Sequence, residues 1–530
     1  MLIKPSSVSF LLTSIIFIFA LCILLYESYI FLGWQTDDAF ISRVVVKNYL
    51  INGFFSWDSL ALNNEASTTS FVHVIIIYTL QLLAGFDNIA KMEIFLNFSI
   101  LLFSFFYFFN NSNNKNNFLQ IWLLSLISAP YAVFWMFSGL ETGILVGLIS
   151  YIFIHGLLYL SGELNRPPSW LFVAICAVVR PDYIFVILSL AIMIFAKEGK
   201  EASLRYVAKS LIIVIIYYFI IFFYLGGVLP ASYYFKVESI PRLDLIIRGV
   251  GYIGFYLIVS LFLPLLLFVL SGLVSKRRIN IFFVFFLSLS LIPAAATING
   301  GDWMAGFRFY APFMIPFFFG CFYFLASYGS IKKTRRLFLT LTISLGLFVT
   351  NILVSDLIVN RESNNNFEQM VIKNRQFRSF NPDFSFEHLY SEMIELINNT
   401  EEISHVGLSE AGYIPFHVSK TSTDIQGLTH IELAKIRSES GVNSAAFMNW
   451  LEDRKISHFI FWLKKSENVY LPRVSKEVAS HFLGDFQTLE SCTYSKKVED
   501  IYRFTHGTKG PLYVCLIQNP SFTDYEVKSN

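Results

Sequence analysis

The sequence predicts a polytopic α-helical membrane protein followed by a soluble α/β domain. Three observations carry that prediction. Of 530 residues, 55% are hydrophobic, 17% aromatic and only 15% charged, and the mean hydropathy of +0.56 is far above that of a soluble chain this long. Apolar runs close to the roughly 20 residues that cross a bilayer recur as far as Val359. From about Asn360 the composition turns polar and short β-like runs appear.

The first run, Val8 to Gly33, is too long for a secretory h-region and has no small-residue cleavage site before Trp34, so it reads as a retained transmembrane helix. A polar segment from Trp34 to about Ser70 follows, in which Ala39 to Leu50 spaces apolar residues at helical intervals with Arg43 and Lys47 one turn apart. That spacing predicts a short helix on the membrane surface. Further runs lie at Phe71–Ala84, Ile89–Phe109, Phe118–Phe137, Leu140–Leu160, Trp170–Ala196, Val207–Leu225, Val250–Leu270, Ile281–Ala296, Phe307–Ala326 and Leu337–Val359, giving about 11 spans. Arg180-Pro181-Asp182 interrupts one of them, and proline inside a helix forces a kink or a break. Whether that run is one segment or two leaves the side of residues 138–182 open.

Basic loops set the orientation. Lys197 to Lys209, Lys276-Arg277-Arg278 and Lys332 to Arg336 alternate with the loops that hold Lys236 and Asp302, which puts the basic set in the cytoplasm. Asp37-Asp38, Asp302 and the C-terminal region are then expected outside. The chain is expected to divide into a membrane domain, residues 1–359, and an extracytoplasmic α/β domain, residues 360–530. Strands are expected at Val406–Leu408, His458–Trp462 and Leu512–Ile517, and helices at Asp383–Asn398 and Ser444–Arg454. Cys22, Cys176 and Cys321 fall in apolar runs, whereas Cys492 and Cys515 lie in the polar region and could pair in an oxidising compartment.

Several function classes lose support at once. A net charge of +2 without basic blocks interleaved with aromatics argues against nucleic acid as a partner. The nine histidines show no metal-ligand spacing, and no Walker A, Gly-x-Ser-x-Gly or Gly-x-Gly-x-x-Gly pattern is present.

The most informative stretch is Asp37-Asp38. Adjacent carboxylates repel each other and are hard to place beside a membrane, so they imply a cation or a proton-accepting role. The competing assignment is an N-cap for the helix that begins at Ala39; one aspartate could cap while the other acts as base, in either order. Arg308 opens an apolar run with Asp302 six residues earlier in a Gly-rich loop, a cation and a carboxylate suited to a phosphate and its surroundings; snorkelling is the alternative for the arginine. Lys236 follows Pro230 and Tyr233-Tyr234 on another outward loop, with phosphate binding or an interfacial position as its two assignments. Arg180, Asp182 and Glu141 lie in apolar surroundings, where ionised groups cost on the order of 3 kcal/mol each unless paired or wet; they are candidates for a structural ion pair or for substrate contact.

Taken in order, Asp37-Asp38-Ala39-Phe40-Ile41-Ser42-Arg43, Ser138-Gly139-Leu140-Glu141-Thr142, Val179-Arg180-Pro181-Asp182, Leu229 to Lys236, Gly300-Gly301-Asp302-Trp303-Met304 and Arg308-Phe309 resemble the GT-C fold membrane glycosyltransferases. The branch containing the terminal arabinofuranosyltransferase is the most similar, with the resemblance continuing through Glu410 to Pro415 and Asp424 to Thr429. At Asn64 to Ser70 the chain departs from the Glu-Gly-Tyr-Thr-Ser pattern of that branch. The resemblance implies an inverting glycosyltransferase of the bacterial cytoplasmic (inner) membrane. It would pass a sugar from a polyprenyl-phosphate carrier to an outward-facing cell-envelope glycan, lipid or protein. Asp37 and Asp38 are the implied catalytic residues and implied ligands of a divalent cation, magnesium or manganese, which only some members need. Read from the residues themselves, Arg308, Lys236, Asp302, Arg180, Asp182, Glu141 and Arg43 are the candidate substrate-binding residues.

The chemistry agrees with that set. Inverting transfer needs a carboxylate to take the acceptor's proton. A phosphate leaves without an acid, provided cations neutralise its developing charge. Two rivals make different demands on the same residues. A membrane transporter or lipid-linked sugar flippase would use Arg180, Asp182 and Glu141 as a coupling pathway, and a non-catalytic assembly subunit would tolerate loss of both aspartates.

Overall fold

The computed structural model describes residues 35–112, 115–227, 229–234, 241–256, 280–281, 283–291, 300, 308–326, 386–466, 469–472, 476–483, 492–498 and 512–519. In chain order the helices are α1 (Asp37–Asn52), α2 (Phe71–Ala84), α3 (Ile89–Asn111), α4 (Lys115–Ile127), α5 (Pro130–Met136), α6 (Thr142–Ser161), α7 (Trp170–Val179), α8 (Phe185–Glu198), α9 (Lys200–Leu225), α10 (Arg242–Tyr256) and α11 (Ala311–Ala326). The C-terminal part continues with α12 (Phe386–Asn399), β1 (His405–Leu408), α13 (Tyr413–His417), β2 (Thr421–Asp424), α14 (Ile431–Ser440), α15 (Ala445–Asp453), β3 (His458–Ser466), β4 (Val469–Pro472), α16 (Lys476–Leu483), β5 (Tyr494–Val498) and β6 (Leu512–Gln518).

Two compact units form. The first gathers residues 84–217 and 243–378 with the N-terminal 35, and the second gathers 36–83, 218–242 and 379–530. This grouping follows contact, whereas the division expected at residue 359 follows hydropathy.

In the first unit α6 is buried on nearly every side, against α3, α7 and α11. Two of its glycines explain how closely α3 approaches: a Cβ at Gly143 would overlap the Asn97 amide, and one at Gly147 would come within 2.6 Å of Ile100. Small residues four apart let helix backbones touch, the usual means of packing helices in lipid, where burial of apolar surface supplies no drive. Asn97 in turn donates to the Met136 carbonyl at 2.9 Å, so its polar side chain is satisfied inside the bundle.

Among the described residues, helices at 86–111, 142–161 and 200–225 are long and apolar enough to cross a membrane. Shorter apolar helices lie at 71–84, 117–127, 170–179 and 311–324. The surface of α9 carries Ile212, Ile215, Phe219 and Phe223, all exposed, an apolar face that lipid would cover and water would not. Two of the expected spans are broken. The run Phe118–Phe137 is split between α4 and α5 at Ala129-Pro130, and Trp170–Ala196 is split by a 3₁₀ turn at Pro181–Ile184. The proline, which has no N–H to give, takes the first position of α5 in one case and of the 3₁₀ turn that precedes α8 in the other. The expected spans at 8–33 and 337–359 lie outside the described residues, and those at 250–270 and 281–296 lie partly outside.

In the second unit a six-stranded mixed sheet runs in the order β2-β1-β3-β6-β5, with β4 pairing β3. β1 is parallel to both β2 and β3, while β3 is antiparallel to β6 and β4. Phe459, Phe461 and Leu463 alternate along β3 and point into one core with Phe447, Leu451, Val478 and Ile517, as a period of two requires. Cys492 and Cys515 are bonded, with Cα atoms 5.6 Å apart, tying β6 to the segment that enters β5. Closing a loop of 23 residues restricts the unfolded chain and stabilises the sheet by about 3 kcal/mol in the chain-entropy account.

Candidate active site

The acidic pair opens α1. Thr36 occupies the N-cap, with no side-chain capping bond, and Asp37 and Asp38 take the first helical turn. Neither aspartate is the cap itself. A carboxylate is favoured in a first turn by the exposed backbone N–H groups, but Asp37 finds its partner elsewhere: the Tyr413 backbone N–H donates to its Oδ1 at 2.7 Å.

The segment that makes this bond leaves the carboxyl end of β1, the middle of three neighbouring parallel strands, the place where open α/β sheets usually present ligand-binding loops. Its backbone lies so close to α1 that a Cβ at Gly412 would overlap the Asp37 carbonyl oxygen and sit 2.7 Å from its carboxyl carbon. Trp57, fully buried, donates its indole N–H to the Ala411 carbonyl at 2.7 Å. Lys47 donates to the carbonyls of Phe416 at 2.9 Å and Val418 at 2.7 Å, the orphan acceptors at the end of α13. Phe40 packs edge-on against Tyr413 at 5.0 Å, and the Arg43 guanidinium lies 4.7 Å from the Phe40 ring centre.

At the carboxyl end of β2, Asp424 is wholly buried. Its oxygens accept from the Gln426 and Thr429 N–H groups, each at 2.9 Å, and from the Thr429 hydroxyl at 3.1 Å. Gly427 takes the left-handed conformation this turn needs, φ +79°. The Asp424 to Thr429 motif is therefore a self-contained turn built around its own carboxylate.

The electrostatics of Asp37 are unusual for a carboxylate. Its side chain keeps a partly open surface, but protein surrounds the acid group, and desolvation pushes its pKa up to about 7. The Tyr413 and Gly412 N–H groups oppose that rise, while the neighbouring Asp38 and Asp424 charges add to it. Lys47 is pushed down to about 8 by burial. His417 is pushed down to about 4 by burial and by the Lys47 and Arg43 charges.

The loop after α1 is anchored by a second acid. Asp58, buried, is ion-paired with Arg454 and accepts from the Leu60 N–H at 2.8 Å, with His430 Nδ1 3.8 Å away. Glu65, in the stretch that departs from the related pattern, accepts from the Ser56 hydroxyl at 3.1 Å, and burial raises its pKa.

The first unit holds the other cluster. Arg180 Nη1 lies 3.1 Å from Glu141 Oε1; Asp182 grips the same guanidinium at two points, 3.0 Å at Nη2 and 3.3 Å at Nε. The Arg180 and Glu141 side chains are almost fully buried, whereas Asp182 is a quarter exposed. Both Arg180 and Arg308 flank the ring of Phe309, at 4.8 and 5.3 Å from its centre. Four candidates from three of the motifs thus meet, two cations and two acids. Gly300, which begins the Gly-Gly-Asp-Trp motif, adopts φ +80° close against Leu245, and Arg248 donates to its carbonyl at 3.0 Å. Lys236 and Asp302 lie outside the described residues.

Sequence reasoning assigned no role to Lys47, Trp57, Gly412 or Tyr413. The only local signals were the position of Lys47 one turn beyond Arg43 and a glycine in the Glu410 to Pro415 motif. Among the described residues no group of three or more His, Cys, Asp or Glu side chains is placed to hold a metal ion. Asp37 and Asp38 offer hard oxygens of the type magnesium or manganese takes, but two neighbouring carboxylates do not make the six-oxygen shell such ions require, and Asp424 spends both oxygens on its own turn.

The described chain is mostly helical, with long apolar helices, and its fold is like that of solved structures. Among the particular structures it resembles are two crystal structures of ArnT from Cupriavidus metallidurans. One is bound to undecaprenyl phosphate, with a TM-score of 0.51 at 9% identity, and the other is in the apo state, with a TM-score of 0.51 at 10% identity. Each match covers 94% of this chain and 97% of the other. The likeness is one of fold, and it does not single out the arabinofuranosyltransferase branch. No protein-family model and no curated protein matches the sequence.

Proposed function

We propose that this protein is an inverting, polyprenyl-phosphate-dependent glycosyltransferase of the bacterial inner membrane, acting on its outer face. The observation that carries the proposal is Asp37, a desolvated carboxylate whose pKa of about 7 lies near working pH, where a general base is most effective. The fold shared with a protein that binds undecaprenyl phosphate supports the carrier class. The disulfide between Cys492 and Cys515 supports an outward, oxidising location for the sheet.

In the reaction Asp37 takes the proton from an acceptor hydroxyl as that oxygen bonds to the anomeric carbon. The bond from that carbon to the carrier phosphate breaks, and its electron pair leaves on the phosphate oxygen. Arg308 and Lys236 neutralise the leaving phosphate, and Asp302 and Arg43 are further candidates for substrate contact. Arg180 is already gripped by Glu141 and Asp182, so these acids fix the plane of its guanidinium. Asp38 keeps the local field negative beside the base. The C-terminal α/β domain, residues 360–530, helps seat the acceptor, a glycan, lipid or protein of the cell envelope. A divalent cation on the aspartate pair is a separate proposal: transfer would then collapse on adding a chelator and return with magnesium or manganese.

The test is lipid mass spectrometry on cells that carry only Asp37→Asn or Asp38→Asn protein. A build-up of one sugar-loaded carrier, together with a glycan short of one sugar, is expected for Asp37→Asn. Wild-type glycan in both strains, with both proteins present in the membrane, would remove the enzyme mechanism and favour an assembly role.

A further inference from the structure

The second unit joins segments 376 residues apart through an unusually close contact. Along one side of α1, Asp37 accepts the Tyr413 N–H, and ten residues later Lys47 donates to the Phe416 and Val418 carbonyls. A carboxylate on N–H groups at one end and an ammonium on carbonyls at the other fix both the translation and the rotation of α1 against residues 411–418. Between them Phe40 fills the gap against Tyr413 and Phe416, at 5.0 and 5.6 Å between ring centres. Trp57 holds the approach to this segment by its bond to the Ala411 carbonyl. Gly412 has no room for a side chain: any Cβ would push Asp37 away.

We propose that residues 411–418 are a positioning clamp for Asp37, with Gly412 and Lys47 as its positioning residues. The C-terminal part of the chain then completes the setting of the base as well as seating an acceptor. This rests on Asp37 being the base, as proposed above. The clamp aims one carboxylate oxygen by giving the other a fixed backbone donor. Displacement of a reacting group by about 1 Å can cost on the order of a hundredfold in rate.

The experiment uses full-length protein in membranes. Gly412→Ala, Lys47→Met, Lys47→Arg and Asp37→Asn are compared for transfer, read as consumption of the sugar-loaded carrier, and for binding of undecaprenyl phosphate to the purified proteins. Gly412→Ala and Lys47→Met are expected to transfer on the order of a hundredfold more slowly while binding undecaprenyl phosphate like the parent. Lys47→Arg, which still offers several donors, recovers most of the rate. Adding Gly412→Ala to Asp37→Asn causes no further loss, because a clamp acts only through the group it holds. Parental transfer by Lys47→Met, or an equal loss from Gly412→Ala in the presence and absence of the Asp37 carboxylate, overturns the clamp. Should Gly412→Ala fail to reach the membrane, Lys47→Met decides alone. Parental transfer by Asp37→Asn removes the base assignment and the clamp together, a result distinct from failure of the clamp with Asp37→Asn inactive.

Discussion

Two groups of carboxylates in this molecule have opposite surroundings. In the first unit Glu141 and Asp182 share the Arg180 guanidinium, and each has a countercharge within 3.1 Å. In the second unit Asp37 has backbone N–H groups for partners and two further carboxylates near enough to raise its pKa. Pairing makes a buried charge affordable but leaves it little freedom to react. A carboxylate opposed by its own kind and deprived of water gains affinity for a proton, the property a base requires. The function proposed above uses that difference, with a structural task for one cluster and a chemical one for the other.

The largest expected effect strikes the second cluster. Asp37→Asn should lower transfer by about 10²- to 10⁴-fold, the usual contribution of a general base. The amide oxygen can still accept the Tyr413 N–H, so the thermal midpoint should stay near that of the parent; a large fall would mean that Asp37 is structural after all. The first cluster should behave the other way round. Arg180→Met strands Glu141 and Asp182 beside apolar side chains and should cost about 3–5 kcal/mol of stability, visible as a lower midpoint in detergent. Replacing both acids with their amides in that background should recover part of the loss.

Dependence on pH sharpens the contrast. The active form of Asp37 is the ionised one and its pKa is raised to about 7, so transfer should be full well above that value. Transfer should fall towards tenfold per pH unit below it. Asp38→Asn removes a like charge, so the acid limb should move to lower pH. A limb unmoved by that substitution would separate the two aspartates. The smallest effect belongs to Trp57→Phe, which leaves the Ala411 carbonyl without its indole donor and should cost about 1 kcal/mol, read from the unfolding of purified protein.

Much of the helical half was legible in the sequence because lipid imposes its rule locally. Phe71–Ala84 emerged with its bounds intact, and the Arg180-Pro181 break was visible because proline acts on its own neighbours. The break at Pro130 was equally available, but the run around it was apolar enough to read through. β1, β3 and β6 showed themselves as dense apolar runs, whereas β2, Thr421–Asp424, is polar and takes its place by pairing with β1. The acidic pair was conspicuous by its charge. Its partner was hidden, since a main-chain N–H has no letter in the sequence, and a glycine at position 412 signals tight quarters without saying against what.

The close fit at Gly412 also bears on how such proteins diversify. A change of acceptor would most simply come from exchanging the sheet-bearing half for another. Here any transplanted half must bring its own side-chain-free residue and its own free amide to the same spot on α1. With Asp37 as the proposed base, a hybrid joined between α11 and α12 is expected to keep transfer only where both parents share that junction.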